Sequence, residues 1–256
     1  MPTSLRTLQS TLAPTGIGNV TSVFWIGSTQ GTSNAASSDG CCCLWTVPAN
    51  IRSVTFEVWG AGGDGAGGCC CMSTAIGSVS GSYAVTTVDT VPGRQFRICS
   101  APSGCCTATC DGLSSNGAPS YVFDVNAGAN IVCACGGQGA NMRPTFTGSG
   151  EGYTCCWGRL GNGGYAQCGY VVCGTGGTGF RNQFCHSDQY QMVSGGFSAS
   201  GRLSPDRCSI WACQGCAIMK SAPSWPGGSG ADGNACGGGF CSGQWGAPGS
   251  VKVTYR

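Results

Sequence analysis

The sequence predicts an all-β fold: a short-strand β-sandwich combined with glycine-rich polyproline-II-like segments and stapled by disulfides. Three observations carry this. Glycine supplies 47 of 256 residues and cysteine 22, where glycine is ordinarily about 7% of a protein. Charged residues make up only 9%, against about 25% in typical domains, and no stretch reads as an amphipathic helix of three turns. Short runs with alternating apolar residues recur, separated by turn residues.

Residues 1–43 read as an arm or attachment segment with one short strand, polar and rich in Ser, Thr, Gly and Asn, with one apolar island at Val23-Phe24-Trp25-Ile26. Residues 44–256 read as one glycine-rich β domain. It opens on LWTVPANIRSVTFEVWG (44–60), which reads as a β-hairpin with its turn at Pro48-Ala49-Asn50. Val54, Phe56 and Val58 alternate with Thr55, Glu57 and Trp59, the period of two expected of a half-buried strand. Further strands are predicted at 83–88, 95–99, 121–125, 131–135 and 170–173. SVKVTY (250–255) closes the domain, and its place at the end of the sequence implies that the chain returns to pair with its beginning. Trp45 and Trp59 are expected as core or inter-layer packing.

The glycines have a spacing of their own. Gly62, Gly65 and Gly68 are three apart, as are Gly158, Gly161 and Gly164. Gly227, Gly230 and Gly233 continue through Cys236 to Gly239, and Gly243, Gly246 and Gly249 form a second register. Three residues per turn is the polyproline-II period. Such helices make no internal hydrogen bonds, so their backbone groups need partners on neighbouring segments.

At these residues the chain resembles the glycine-rich domain of phage tail-fibre and adhesin proteins. WTVPANIRSVTFEVWGAGGDGAGG (45–68) is similar to that domain's opening strand and glycine run. TVDTVPGRQFRICSAPSG (87–104) is similar to its next pair of strands, and residues 227–256 resemble its ending. The resemblance covers the two ends of the domain, whereas residues 105–226 match only in style and read as variable loops. It implies a virion protein, assembled in the host cytoplasm and released by lysis. It implies a fibre or fibre-tip adhesin whose loops bind a host surface receptor, either a glycan or an outer-membrane protein, alongside other virion proteins. A structural virion subunit, such as a head-decoration or fibre-joining protein, is the alternative. Fibres of this kind are usually trimeric and tip adhesins can be monomeric, so a homo-trimer and a monomer both stay open.

The cysteines depart from that family's pattern. Cys41, Cys42 and Cys43 form one triplet and Cys69, Cys70 and Cys71 another. Cys105-Cys106 and Cys155-Cys156 are pairs, and Cys99, Cys110, Cys133, Cys135, Cys168, Cys173, Cys185, Cys208, Cys213, Cys216, Cys236 and Cys241 are dispersed. Neighbouring cysteines bond more readily to different segments than to each other. All 22 are therefore disulfide candidates, with connectivity undetermined. Each bridge would offset part of the entropy of ordering glycine. The alternative is a metal site. Cys208-x4-Cys213-x2-Cys216 has the spacing of a plant-type iron–sulfur loop, with Cys236 or Cys241 as fourth ligand. A zinc site using Cys213-x2-Cys216 is equally easy to write.

Catalysis finds little support. The single histidine, His186, lies near Asp188, but no nucleophile motif accompanies them. Gly60–Gly68 lacks the Lys and Ser/Thr of a phosphate loop, and Gly63-x-Gly65-x-x-Gly68 matches a dinucleotide pattern by letter only. The ten acidic residues form no suggestive pair. The expectation is no enzyme and no cofactor. The net charge is +2 with Lys and Arg scattered, so no nucleic-acid partner is expected. No signal-peptide pattern and no apolar stretch of about 18 residues is visible, so neither export by that route nor membrane insertion is expected. Binding is easier to support. Trp157, Tyr165, Tyr170, Trp211, Trp225 and Trp245 lie among glycines and other small residues, and aromatic rings there can stack on sugars or anchor protein contacts.

Overall fold

In a computed structural model of the chain, the described residues are 21–26, 41–65, 74–76, 78–102, 115–139, 141–143, 164–174, 179–180, 192–193, 226–227 and 245–255. They hold no helix. Two five-stranded antiparallel sheets face each other. Sheet A has the order β1 (Thr21–Ile26), β14 (Ser250–Tyr255), β3 (Ser53–Trp59), β5 (Tyr83–Asp89), β11 (Gly169–Val172). Sheet B has the order β10 (Gly164–Ala166), β8 (Ala129–Ala134), β7 (Ser120–Asp124), β6 (Gln95–Ser100), β2 (Cys41–Thr46). Two small pairings accompany them: β4 (Thr74–Ile76) with β9 (Asn141–Arg143), and β12 (Gly179–Phe180) with β13 (Met192–Val193).

Alternation decides which side chains enter the core. Val54, Phe56 and Val58 of β3 are fully buried, as are Val251 and Val253 of β14. Phe96, Ile98, Val122, Val132 and Ala134 meet them from sheet B. Phe56 and Phe96 approach edge to face at 5.1 Å, and Trp45 closes over both at 6.2 Å. Aromatic pairs at these separations add to the area they bury. Tyr255 tilts against Trp45 at 5.6 Å, so the last strand seals the same cluster.

The six strands expected at 83–88, 95–99, 121–125, 131–135, 170–173 and 250–255 are all present, within a residue or two. The closing strand lies between β1 and β3, with Thr21 opposite Tyr255 and Val253 opposite Phe56. The expected hairpin over 44–60 does not form. β2 pairs with β6 in sheet B, and β3 pairs with β14 and β5 in sheet A. The connection crosses between sheets because Val47 is drawn into the core and its amide bonds the Arg94 carbonyl at 2.9 Å. Trp45 and Phe56 then face each other across the core instead of lying side by side. Thr21–Ile26 and Cys41–Cys43, which the sequence places in the arm, are strands of the sandwich, and Val23 is part of its core.

A corner joins the two sheets at one side. β10 belongs to sheet B and β11 to sheet A, with only Gln167 and Cys168 between them. The Gln167 amide bonds the Ile131 carbonyl at 2.8 Å, and its carbonyl accepts from the Thr86 hydroxyl. One residue of this turn thus ties β8 to β5.

The sandwich has two unlike ends. Short connections cap one: residues 47–52, 90–94 and 125–128. Asp124 organises that end. Its Oδ1 accepts the amides of Asn126 at 2.9 Å and Ala127 at 3.1 Å, and its Oδ2 pairs with Arg94. At the other end the strands run into glycine-rich backbone.

Candidate functional site: the glycine-rich end

Five segments extend the strands at this end. They are 60–65 after β3, 78–82 before β5, 115–119 before β7, 135–139 after β8 and 245–249 before β14. Residues 60–65 run through the middle and are buried throughout. Their amides go to three neighbours in rotation. Gly60 bonds the Ser82 carbonyl, Ala61 the Ala118 carbonyl and Gly62 the Ala247 carbonyl, each at 3.0 Å. Gly63 then returns to the first neighbour at Val79, at 2.9 Å, and Asp64 to the second at Ser115, at 3.0 Å. Each step of three along 60–65 is a step of three backwards along its partner, so these neighbours run antiparallel to the central segment.

Small residues are required because the backbones touch. A Cβ on Gly60 would overlap the Cys135 carbonyl, on Gly63 the Gln138 carbonyl and on Gly246 the Gly62 carbonyl. Gly117, Gly136 and Gly137 are equally confined, by Ala61, Gly117 and Val79. The outer segments bond one another as well. Val79 donates to Gln138, Ser82 to Cys135 and Gly117 to Gly137, at 2.8–2.9 Å. Of the register Gly243, Gly246 and Gly249, the last two approach neighbouring backbone closely, and Gly243 lies outside the described residues.

Asp64 sits fully buried inside this packing, and sequence reasoning passed over it. The available signal was a lone acid inside a glycine run. Its Oδ1 accepts the Gly246 amide at 2.8 Å, doing for segment 245–249 what a backbone carbonyl does elsewhere. Burial pushes its carboxyl up to about 6, although the Gly246 amide pulls the other way. Asp124, at the opposite end, behaves differently. Burial raises its carboxyl, but the Arg94 hydrogen bond and the Ala127 and Asn126 amides outweigh this and hold it below the ordinary carboxylate value.

The aromatic candidates separate. Tyr165 is 52% exposed on the outer face of sheet B, since its neighbour Ala166 packs on the core. Tyr170 is 57% exposed on the outer face of sheet A, since Val171 packs inward. The β10–β11 corner therefore sends two tyrosines five residues apart to opposite sides of the molecule. Trp245 is 48% exposed beside the glycine segments. These three form no common site. Trp157, Trp211 and Trp225 lie outside the described residues. Trp59 is buried, as its reading as a packing residue expects, and lies on the outer side of sheet A against Tyr83, at 5.0 Å. The Tyr83 hydroxyl donates to Glu57 at 3.1 Å. Burial first, then the Glu57 charge and Tyr170, raise its phenol far above the ordinary value, so it stays protonated.

Cys42 and Cys99 form a disulfide between directly opposed residues of β2 and β6. Cys43, Cys133, Cys135, Cys168 and Cys173 are free thiols. Burial and then Cys135 raise the Cys133 thiol, so it resists forming the thiolate that metals and disulfide exchange require. Nothing is described of the Cys41 side chain. Cys69, Cys70, Cys71, Cys105, Cys106, Cys110, Cys155, Cys156, Cys185, Cys208, Cys213, Cys216, Cys236 and Cys241 lie outside the described residues. So do His186 and Asp188. Among the described residues, no three His, Cys, Asp or Glu side chains are grouped to hold a metal ion. No family model and no curated protein matches the sequence.

Two outcomes follow from this packing. Gly63→Ala forces backbone apart and should destabilise the protein by about 3 kcal/mol or more, at the upper end for overpacking. Gly93→Ala, with open space around it but φ of +83°, should lose only about 1–2 kcal/mol. Denaturant unfolding of both compares them, and equal losses would mean that the glycine end is loosely packed. The second outcome concerns pH. Because the Asp64 carboxyl is raised in the folded state, the unfolded chain ionises first. Stability should therefore fall as pH rises from about 4 to about 6, by at most about 3 kcal/mol. Asp124 acts in the opposite sense and removes stability below about pH 4. Thermal unfolding should be most resistant near pH 4–5, and Asp64→Asn should abolish the decline towards neutrality.

Proposed function

We propose that this chain is a phage virion protein, a tail-fibre or fibre-tip adhesin that binds a host surface receptor without catalysis. The glycine segments are, in this reading, polyproline-II-like helices packed side by side. Their rotation of hydrogen-bond partners every third residue supports that, because three residues make one turn of such a helix. The observation that carries the functional reading is the polarity of the sandwich. Ile26 lies opposite Ser250 and Cys41 opposite Ser100, so even the 27–40 connection departs from the glycine end. Residues 66–73, 103–114 and 228–244 likewise interrupt the glycine-rich end in sequence. Thr21 and Tyr255 are paired at the opposite end. The described residues that flank these insertions belong to the stiff glycine end, and recognition by loops requires such a base.

A structural virion subunit is the second reading. It is favoured by the incorporation of Thr21–Ile26 into sheet A, with Val23 in the core. That makes part of the supposed arm a fixed element of the frame.

Gold-labelled antibody against the chain, imaged on intact phage particles from a lysate that expresses it, separates the two. Label at the fibre or tail tip is the expected result. Label over the head would replace the adhesin with a structural subunit, and unlabelled particles would overturn both.

A further inference from the structure

The outer face of sheet B carries an ordered set of side chains that the hydrophobic cluster between the sheets does not use, beginning one residue from the strand ends at Ser100, Ser120 and Ala134. Strand register sets one row across it: Cys42, Cys99, Tyr121, Cys133 and Tyr165 are directly opposed in turn. The adjacent row runs Leu44, Arg97, Phe123 and Asn130. All point outward, because Trp45, Phe96, Ile98, Val122, Val132 and Ala166 on alternate positions pack on the core. Tyr121 and Tyr165 stand two strands apart, about 9–10 Å. The Arg97 guanidinium lies over the Phe123 ring, 5.7 Å from its centroid.

Charge on this face is one-sided. Among the described residues the ion pairs are Arg94–Asp124 and Lys252–Glu57, and neither involves Arg97. No Asp or Glu occupies the two rows. Arg97 is thus an exposed cation over an aromatic ring, with no acid paired to it among the described residues. A guanidinium so placed suits a carboxylate, to which it can donate two parallel hydrogen bonds. The tyrosines offer flat apolar surface with a polar edge, suited to the C–H faces of sugar rings. One cation is too few for a nucleic-acid backbone, whose binding grows with the number of phosphates neutralised.

We propose that the outer face of sheet B is a binding platform for an acidic polysaccharide. Successive sugar rings lie on Tyr165 and Tyr121, and a sugar carboxylate is held by Arg97 against Phe123. The platform rests on the adhesin reading and deepens it: the side of the domain holds the carboxylated glycan of the cell surface while the glycine end meets the receptor.

The test uses the full chain and two exposed-face variants, Tyr165→Ala and Arg97→Gln, each first shown to unfold like the parent. Binding is measured by calorimetry to polygalacturonate and polysialic acid, with neutral dextran as control. The expected result is binding to at least one acidic polymer and none to dextran, with affinity reduced about tenfold or more in each variant. Unchanged affinity in both variants would overturn the platform, as would absence of binding to both acidic polymers. Neither result would touch the adhesin reading, whose failure shows separately as label over the head or on no part of the particle.

Discussion

The structure depends on the way residues 60–65 dispose of their backbone amides. A segment with almost no side chains has little apolar area to bury, and glycine loses more freedom on ordering than any other residue. What holds it is a run of five consecutive amides with backbone partners at close range. Gly60, Ala61, Gly62, Gly63 and Asp64 each donate to a carbonyl, on three segments drawn from distant parts of the chain. A buried amide without a partner would be strongly unfavourable, so removing one neighbour strands the amides that donate to it, such as Gly60 and Gly63 for residues 79–82. This makes the glycine end cooperative, although its composition resembles that of a linker.

The two halves of the molecule solve the same problem by different means. In the sandwich, strand pairing satisfies the backbone and the Phe56–Phe96–Trp45 cluster supplies apolar burial. At the glycine end, pairing continues but side chains are excluded, so neighbouring backbones come closer than in a sheet with side chains between them. Every strand that leaves the sandwich at Trp59 or Ala134, or enters at Tyr83, Ser120 or Ser250, carries the sandwich's register into the glycine segments. A rigid sheet end thereby templates a rigid glycine frame.

Much of the sandwich was legible because period-two alternation is strong in short segments such as Val54–Val58 and Val251–Val253. The pairing partners were less so. Pro48-Ala49-Asn50 has the chemistry of a hairpin turn, yet β2 and β3 separate into different sheets because Trp45 and Val47 both find burial across the core. The glycine period of three was visible, and the structure adds Gly60 and Gly63 as a register of close approach on the first segment. Close approach depends on which face meets Cys135 and Gln138, and that information lies some 75 residues downstream. The Cys42–Cys99 bridge was hidden for the same reason, since only the β2–β6 register puts those residues opposite. Tyr165 and Tyr170 looked like neighbours in one site, and a two-residue corner between sheets sends them to opposite faces.

Amide hydrogen exchange, followed residue by residue in the native state, tests most directly whether the glycine end is a structural unit. If residues 60–65 are the hub, the amides of Gly60, Ala61, Gly62, Gly63 and Asp64 should exchange as slowly as those of Phe56 and Val58, through global unfolding. Rapid exchange at these five positions, with the β3 amides still protected, would show a flexible glycine loop attached to an ordinary sandwich and would contradict the account.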